Sequence, residues 1–196
     1  GDDFLSTLIL AEDEGSKLSN LEMCALVGAV LGAGSDTAVD LHSYLIKNLL
    51  QHPKQYNALM ADETLVQGAI SETLRYESSG KTGLARYASE DLEIQGHQIK
   101  KGQMVQLITS TAGMDPLIYH DPRTFDIKRD HDKSISFGQG PHYCIGVTLV
   151  RSQTEVMLKE LFKRFPNLSL GDDVVYDYDH HNARRMDVMT VKTNIN

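Results

Sequence analysis

The chain has 196 residues, enough for one domain with a hydrophobic core, and its 41% hydrophobic and 23% charged residues are typical of a globular protein. Its net charge of −8 argues against a nucleic-acid partner, and its two distant cysteines, Cys24 and Cys144, exclude a disulfide framework and indicate a reducing, cytoplasmic compartment. The longest uncharged stretch, residues 23–35, is too short to cross a bilayer, so we expect no membrane association.

The first strong signal along the chain is a capping box, in which Ser19 and Glu22 can satisfy each other's backbone N–H groups at a helix start. Because Pro53 disfavours a helical residue before it, the sequence predicts one long helix over residues 20–51. At 1.5 Å per residue this helix would be about 45–50 Å long.

Three glycines, Gly28, Gly32 and Gly34, lie in the middle of this predicted helix. Each lowers helix stability by ~1 kcal/mol relative to alanine. Three explanations are open at this point: close approach to a flat group, a local break in the helix, or close packing of a second helix.

Shorter elements follow. The sequence predicts helices over residues 53–60 and 63–76, the first with proline at its start. Residues 83–110 alternate between apolar and polar side chains, with Gly96 and Gly102 as turn residues, and we expect short strands there.

The last third of the chain begins with an irregular stretch over residues 115–129. An amphipathic helix is predicted over residues 145–163, and strands with a hairpin over residues 165–196. His180 and His181 lie near the hairpin tip, but two adjacent histidines without further ligands are a weak metal signal. The predicted fold class is therefore mainly α with small β-sheets.

The most informative segment is the cysteine loop, residues 137–146, with the sequence FGQGPHYCIG. A cysteine thiolate can ligate haem iron, and its electron density favours O–O cleavage. Gly138 and Gly140 allow a sharp turn that brings backbone N–H groups towards the sulfur of Cys144. The alternative interpretation is a buried structural cysteine, the usual environment of a lone cysteine.

The other loop residues favour the haem interpretation. Phe137 can shield the sulfur from water, His142 can donate to an anionic edge of the cofactor, and Gly146 leaves room for the next helix beside a flat macrocycle. The pattern Phe-x-x-Gly-x-His-x-Cys-x-Gly resembles the haem-binding signature of the cytochrome P450 family. The resemblance implies the P450 fold, haem b as cofactor and Cys144 as the axial metal ligand.

Glu72 and Arg75 lie three residues apart on one predicted helix face, which alone is a weak signal. The P450 family carries Glu-x-x-Arg upstream of the cysteine, with a further arginine between them. The resemblance therefore implies a structural network of Glu72, Arg75 and Arg129 that locks the cysteine-loop side of the haem pocket.

In the long helix, residues 33–37 read Ala-Gly-Ser-Asp-Thr and resemble the family's Ala-Gly-x-Asp-Thr motif over the distal face of the haem. The resemblance places Ala33 and Gly34 beside the cofactor. It implies that Thr37 holds a water near dioxygen and that Asp36 relays protons from solvent. The alternative is two polar residues where a helix meets solvent.

Arg86 resembles the arginine with which bacterial members bind a haem propionate, and we expect Arg86 and His142 to form a propionate pair. The alternative for Arg86 is a surface charge among acidic neighbours. The resemblance also implies that residues 79–84 and 179–183 border the substrate pocket.

The implied function is a haem-thiolate monooxygenase that inserts one atom of dioxygen into a small organic substrate. Electrons would come from a ferredoxin- or flavodoxin-type donor near the cysteine face, where Arg151, Lys159 and Lys163 are candidate contacts. The alternatives are a peroxide-driven peroxygenase and a haem-binding or inactive fragment. Family members that use peroxide lack the acid–alcohol pair, so Asp36 and Thr37 argue against the first.

The resemblance extends over essentially the whole chain but covers only the C-terminal half of a family member. We therefore expect residues 1–196 to be the C-terminal, haem-ligating part of a single P450 domain whose N-terminal half is absent.

Overall fold

A computed structural model describes residues 1–10, 12–13, 16–78, 80, 83–179 and 183–193. The helices are α1 (Phe4–Leu10), α2 (Asn20–Gln51), α3 (Pro53–Ala61), α4 (Val66–Tyr76), α5 (Thr109–Ala112) and α6 (Val147–Arg164). The strands are β1 (Glu12–Asp13), β2 (Ser16–Lys17), β3 (Leu84–Tyr87), β4 (Leu92–Ile94), β5 (His97–Ile99), β6 (Met104–Leu107), β7 (Ser169–Asp177) and β8 (Arg185–Lys192). Helices with small sheets are the architecture that the sequence predicted.

The chain divides into two compact units, residues 1–39 and 40–196. The first unit holds α1, the antiparallel pair β1–β2 and the beginning of α2. Helix α1 was not predicted from the sequence. Its local signal is Asp3, whose Oδ1 accepts a hydrogen bond from the Ser6 backbone N–H at 2.8 Å, as an N-cap residue does.

Helix α2 has the predicted bounds and the predicted capping box. The Ser19 backbone N–H donates to Glu22 Oε2 at 2.8 Å, and the Glu22 N–H donates to Ser19 Oγ at 3.3 Å. The helix is continuous through its three glycines, so the predicted alternative of a local break is wrong. Among the described residues, nothing outside the local backbone lies within 4 Å of a Cβ built on any of the three, so the alternatives of a flat group and of a packed second helix both stay predictions.

By length and composition alone, α2 could cross a membrane, a test that core helices of globular proteins also pass. The second part of α2 belongs to a protein core. Leu41, Leu45 and Leu49 recur every four residues and form one buried stripe. The same core contains side chains of α3, α4, α6 and the adjoining loops: Leu59, Val66, Ala69, Ile70, Phe125, Ile127, Leu158, Phe162 and Leu168.

Every sheet in the described part of the chain is two-stranded and antiparallel. Strand β3 pairs with β6, so that Leu84 lies opposite Leu107, and β4 pairs with β5 across a turn at Gly96. The prediction of strands up to residue 110 is wrong at its end, because α5 begins at Thr109. Strands β7 and β8 form the predicted C-terminal hairpin, and the predicted tip residues 180–182 lie outside the described residues.

Candidate functional site

The cysteine loop makes two left-handed turns that favour glycine. Gly138 has a φ of 77° and Gly140 a φ of 72°, values that L side chains rarely adopt. A 3-10 turn at Gly140–His142 leads to Cys144, whose backbone N–H donates to the Phe137 carbonyl at 3.0 Å. The loop thus folds back on its own first residue before α6 begins.

The predicted N–H donors to the cysteine sulfur are not observed among the described residues. The backbone N–H groups of Gly138, Tyr143 and Cys144 all donate to carbonyl oxygens within or beside the loop. Gly138 and Gly140 therefore shape the turn of the loop, and N–H donation to the sulfur stays a prediction.

Cys144 is a half-buried free thiol, and the apolar side chains next to it in the sequence and on the first turn of α6 are exposed. Ile145 is 94% exposed, Leu149 62% and Tyr143 52%. A Cβ added at Gly146 would meet only Cys144 Sγ, at 3.9 Å. An unpaired sulfur within an apolar surface fits a flat apolar macrocycle that needs one protein ligand.

The remaining residues predicted to hold the cofactor lie near the loop or on β3. Phe137 is half-buried, and His142 is exposed at the end of the 3-10 turn. Arg86 is exposed on β3, where Nη1 donates to the Ala85 carbonyl at 2.9 Å. No direct contact joins Arg86 to His142 in the described parts of the chain, so their pairing through a shared anion stays a prediction.

Four predicted site residues, Ala33, Gly34, Asp36 and Thr37, are exposed along α2 in the first compact unit. Thr37 Oγ1 donates to the Ala33 carbonyl one turn back at 2.7 Å. Such back-bonding satisfies a hydroxyl within a helix and competes with the helical hydrogen bond. The hydroxyl oxygen of Thr37 keeps its acceptor capacity, because it acts here as a donor.

The predicted network around Glu72 is present. The Glu72 carboxylate is fully buried and receives two parallel hydrogen bonds from Arg75, from Nε and Nη2, each at 2.7 Å. Arg129 Nε lies 3.4 Å from the same carboxylate, and the Asp126 backbone N–H donates to it at 2.8 Å. Two parallel hydrogen bonds fix the relative orientation of the guanidinium and the carboxylate in addition to pairing their charges.

The two arginines of this network also hold the irregular stretch before the cysteine loop. Arg75 donates to the carbonyl oxygens of Gly113 and Pro122 at 2.7 Å, and Arg129 donates to that of His120 at 2.6 Å. The network therefore ties α4 to residues 113–124 through backbone carbonyls, which no sequence motif specifies.

His131 is a member of this cluster that the sequence analysis missed. Its Nε2 lies 3.6 Å from Glu72 Oε2, and neither ring nitrogen has a hydrogen-bond partner in the described structure. Burial holds the pKa of His131 below its usual value, although the nearby Glu72 carboxylate opposes this shift. His131 is therefore a largely buried imidazole beside a buried carboxylate.

A second buried carboxylate, Glu77, was also missed. Lys47 of α2 forms an ion pair with Glu77 Oε2, and Arg184 Nη2 donates to Oε1 at 3.0 Å. Tyr176 OH lies 3.2 Å from Oε1 and accepts from Lys47 Nζ at 2.8 Å. Tyr44 OH donates to the Arg184 carbonyl at 2.5 Å, so this cluster joins α2, the end of α4 and the β7–β8 hairpin.

Burial raises the pKa of both tyrosines in this second cluster. The pKa of Tyr44 rises to about 12, and that of Tyr176 also rises to about 12, where the neighbouring Glu77 charge adds to the effect of burial. No sequence signal identifies the cluster, because Lys47 and Arg184 are 30 and 107 residues from Glu77.

The three cations predicted to receive an electron donor differ in their surroundings. Arg151 is half-buried and bonds Gln67 and Ser71 of α4. Lys159 forms ion pairs with Glu63 and Glu155, and Lys163 is exposed on α6. A docking role stays a prediction for all three, and Arg151 has the least accessible charge.

The comparisons with known proteins agree with the motifs. The family model for cytochrome P450 matches residues 1–186. The epothilone C/D epoxidase of Sorangium cellulosum is 38% identical over 189 residues, which cover 96% of this chain and 45% of that protein. The 6-deoxyerythronolide B hydroxylase of Saccharopolyspora erythraea is 39% identical over 180 residues, covering 90% of this chain and 44% of that protein.

Solved structures similar to this chain also include cytochrome P450 proteins. Epothilone D-bound cytochrome P450epoK superposes with a TM-score of 0.91 at 38% identity, covering all of this chain and 48% of that one. CYP109E1 from Bacillus megaterium in complex with testosterone gives a TM-score of 0.93 at 28% identity, covering 100% of this chain and 54% of that one. The chain thus spans about half the length of the relatives it matches.

Proposed function

The chain belongs to the cytochrome P450 family, and from this membership we propose that the protein is a haem-thiolate monooxygenase that inserts one atom of dioxygen into a small organic substrate. The described architecture has the P450 fold, as the sequence predicted, and the cofactor of this family is haem b. Residues 1–196 are proposed to correspond to the C-terminal, haem-ligating part of one P450 domain, which the order of the motifs supports.

The observation that carries the proposal is the cysteine loop. A half-buried free thiol has exposed apolar neighbours in the sequence, and the loop that presents it has two glycines with positive φ. These features fit a macrocycle that supplies the other ligands of the iron. We therefore propose that the Cys144 sulfur would bind the haem iron.

The residues around Cys144 are proposed to hold the cofactor rather than to react. Phe137 shields the sulfur, and Gly138, Gly140 and Gly146 shape the loop against the macrocycle. The exposed side chains of Arg86 and His142 are suited to propionate carboxylates, because arginine offers a planar fork of donors and histidine a ring N–H. When bound, the haem supplies dioxygen activation, in which the thiolate favours O–O cleavage.

Thr37 and Asp36 are proposed to manage protons, with Ala33 and Gly34 bordering the cofactor. The back-bond from Thr37 Oγ1 to the Ala33 carbonyl fixes the hydroxyl direction, so that its oxygen can accept a hydrogen bond from a water. Asp36 directly precedes Thr37 and is exposed, so it is proposed to relay protons between the solvent and this water.

The substrate class and the electron donor are proposed from the relatives. Two of them are named as an epoxidase and a hydroxylase, which points to oxygen insertion into an alkene or a C–H bond. A ferredoxin- or flavodoxin-type protein is proposed to deliver electrons one at a time near the cysteine face. We also propose a soluble, cytoplasmic protein, which the two unpaired cysteines support.

The first test is the carbon monoxide difference spectrum of the reduced protein after haem addition. A strongly red-shifted Soret band is expected for the wild-type protein and for Cys24→Ser, and its loss is expected for Cys144→Ser. Retention of the band in Cys144→Ser would overturn the ligand assignment. Haem that binds without this band would instead support the haem-binding, inactive alternative.

The proton-handling role has a separate test. In Thr37→Ala, electron consumption is expected to continue while the fraction that yields oxygenated product falls. Ser35→Ala is the matched control, because its hydroxyl makes the same kind of back-bond, to the Leu31 carbonyl at 2.8 Å. Unchanged coupling in Thr37→Ala would remove Thr37 from the mechanism.

A further inference from the structure

Arg151, in the second turn of α6, joins three parts of the structure. Its Nη1 donates to Gln67 Oε1 and its Nη2 to Ser71 Oγ, both at 3.0 Å, and both partners lie on α4. The guanidinium carbon lies 5.2 Å from the centroid of the Phe137 ring, within cation–π distance. Arg151 therefore bridges α4 and the first residue of the cysteine loop.

The charge of Arg151 is not neutralised by a described neighbour. Its contacts are an amide, a hydroxyl and an aromatic ring, and no ion pair to a carboxylate is present in the described ranges. A guanidinium stays protonated at every pH at which proteins fold. A cation without a direct ion pair in the described ranges thus lies beside the loop that carries Cys144, and the nearest linked carboxylate, Glu155, accepts from Gln67 rather than from Arg151.

Phe137 transmits this contact to the cysteine through the backbone. The Cys144 N–H donates to the Phe137 carbonyl at 3.0 Å. Gly138, directly after Phe137, has a φ of 77° and makes the loop turn there. If the Phe137 ring loses its contact with Arg151, the acceptor of the Cys144 N–H becomes less constrained.

We propose that Arg151 is a positioning residue of the thiolate site: it links Phe137 to α4 and α6, fixes the backbone that presents Cys144, and places a positive charge beside the loop that carries the sulfur. This inference rests on the proposed role of Cys144 as the haem ligand. It also gives Arg151 a role within the protein rather than in docking an electron donor.

The sign of the electrostatic effect follows from the charges. A nearby cation stabilises whichever redox state carries the more negative charge, and reduction adds one electron. Arg151 therefore favours the reduced state of the iron, and removing its charge shifts the reduction potential to more negative values. Arg151→Lys keeps the charge but loses the planar fork and the ring stacking.

The experiment compares Arg151→Gln, Arg151→Lys and Arg164→Gln in the haem-loaded protein. Arg164 is the matched control, because it is an exposed arginine on the same helix that bonds Glu160. Arg151→Gln is expected to lower the reduction potential. It is also expected to lose the thiolate Soret band about tenfold faster, because the loss of a cation–π contact of ~1.4 kcal/mol corresponds to a factor of ten. Arg151→Lys is expected to retain the potential but to lose the band faster, and Arg164→Gln to match the wild-type protein.

Backbone hydrogen exchange of residues 138–146 tests this positioning without haem. The protected amides there include those of Gly138, Tyr143 and Cys144. Exchange is expected to be about tenfold faster in Arg151→Gln and unchanged in Arg164→Gln. Ser71→Ala removes one hydrogen-bond partner of Arg151 but no charge, and it is also expected to speed exchange of these amides. This variant replaces Arg151→Gln in the experiment if Arg151→Gln does not fold.

The outcomes separate this inference from the proposed function. If the wild-type protein shows no thiolate band, the proposed function fails, and hydrogen exchange still decides whether Arg151 holds the loop. If the band is present but Arg151→Gln matches Arg164→Gln in potential, band lifetime and exchange, the positioning role of Arg151 is refuted. Faster exchange with an unchanged potential would refute the electrostatic part alone.

Discussion

Two buried carboxylates, Glu72 and Glu77, differ in how they are paired. Glu72 is 0% exposed and shares two parallel hydrogen bonds with Arg75 on the same helix. Glu77 is 9% exposed and receives its cations from α2 and from the residue before β8. Glu72 thus anchors loop backbone to one helix, whereas Glu77 joins three separate elements.

The difference shows which kind of buried charge a sequence can reveal. A pair three residues apart on a helix face is readable as a motif, because helical geometry alone brings the two side chains together. A carboxylate whose partners are far along the chain is visible only once the chain has folded. The two sites are also expected to respond to mutation and to pH in different ways.

The largest expected effect is that of Glu72→Ala. This change leaves the fully buried Arg75 without its carboxylate, and breaking such a pair costs about 3–5 kcal/mol. We expect a large fall in the urea midpoint, measured by circular dichroism, and protein that does not retain haem. Glu160→Ala, which removes a surface pair on α6, is the control. A normal midpoint with full haem loading in Glu72→Ala would contradict the structural role of the network.

Glu77→Gln is expected to have a smaller effect, about 1–3 kcal/mol. Lys47 is nearly buried and loses its counter-ion, but Arg184 is 40% exposed and can be solvated by water. Hydrogen exchange should rise in β7 and β8 and stay unchanged in the core of α4. An equal rise in all three elements would show that Glu77 supports the whole unit rather than the junction with the hairpin.

The Glu77 site is expected to weaken at high pH. Tyr44 and Tyr176 each have a pKa of about 12 in the folded protein, above the ordinary value of 10.0. The unfolded chain therefore loses these protons first, so the stabilisation is complete below about pH 10 and is lost as the pH rises towards 12. Denaturation between pH 9 and 11, compared with Tyr176→Phe, measures this. The same pH dependence in Tyr176→Phe would rule out a contribution from Tyr176.

The smallest expected effect is a loss of stability at mildly acidic pH, which arises at His131 beside Glu72. The folded pKa of His131 lies below its unfolded value of about 6.5, mainly because of burial, with Arg75 and Arg129 acting in the same direction and Glu72 and Asp130 against it. The unfolded chain therefore binds the proton first, and stability is lost as the pH falls below about 6.5.

Urea denaturation at pH 7.5 and 5.5 checks this expectation, with His131→Asn expected to reduce the pH dependence. A substitution of His42 is the necessary control, because burial also lowers the pKa of His42. This histidine lies outside the Glu72 site, where its ring is hydrogen-bonded to Thr154 at 3.0 Å. An unchanged difference between the two pH values in His131→Asn would assign the acid sensitivity to other groups.

The sequence by itself determined the features that depend on local geometry. The capping box of Ser19 and Glu22 and the proline at residue 53 set the ends of α2, because both act within one turn of helix. The cysteine-loop motif identified the family, and the spacing of Glu72 and Arg75 identified the buried pair. The loop needs its glycines for turns that their neighbours cannot make.

Tertiary structure alone decided which distant groups share a buried charge. Lys47, Arg184 and Tyr176 meet at Glu77, and Arg151 meets Phe137 and Ser71, although no sequence pattern joins them. The physical reason is that burial makes an unpaired charge costly, so packing of whole elements selects the partners. A sequence lists the charged residues, but only the packed elements determine which of them lose their water.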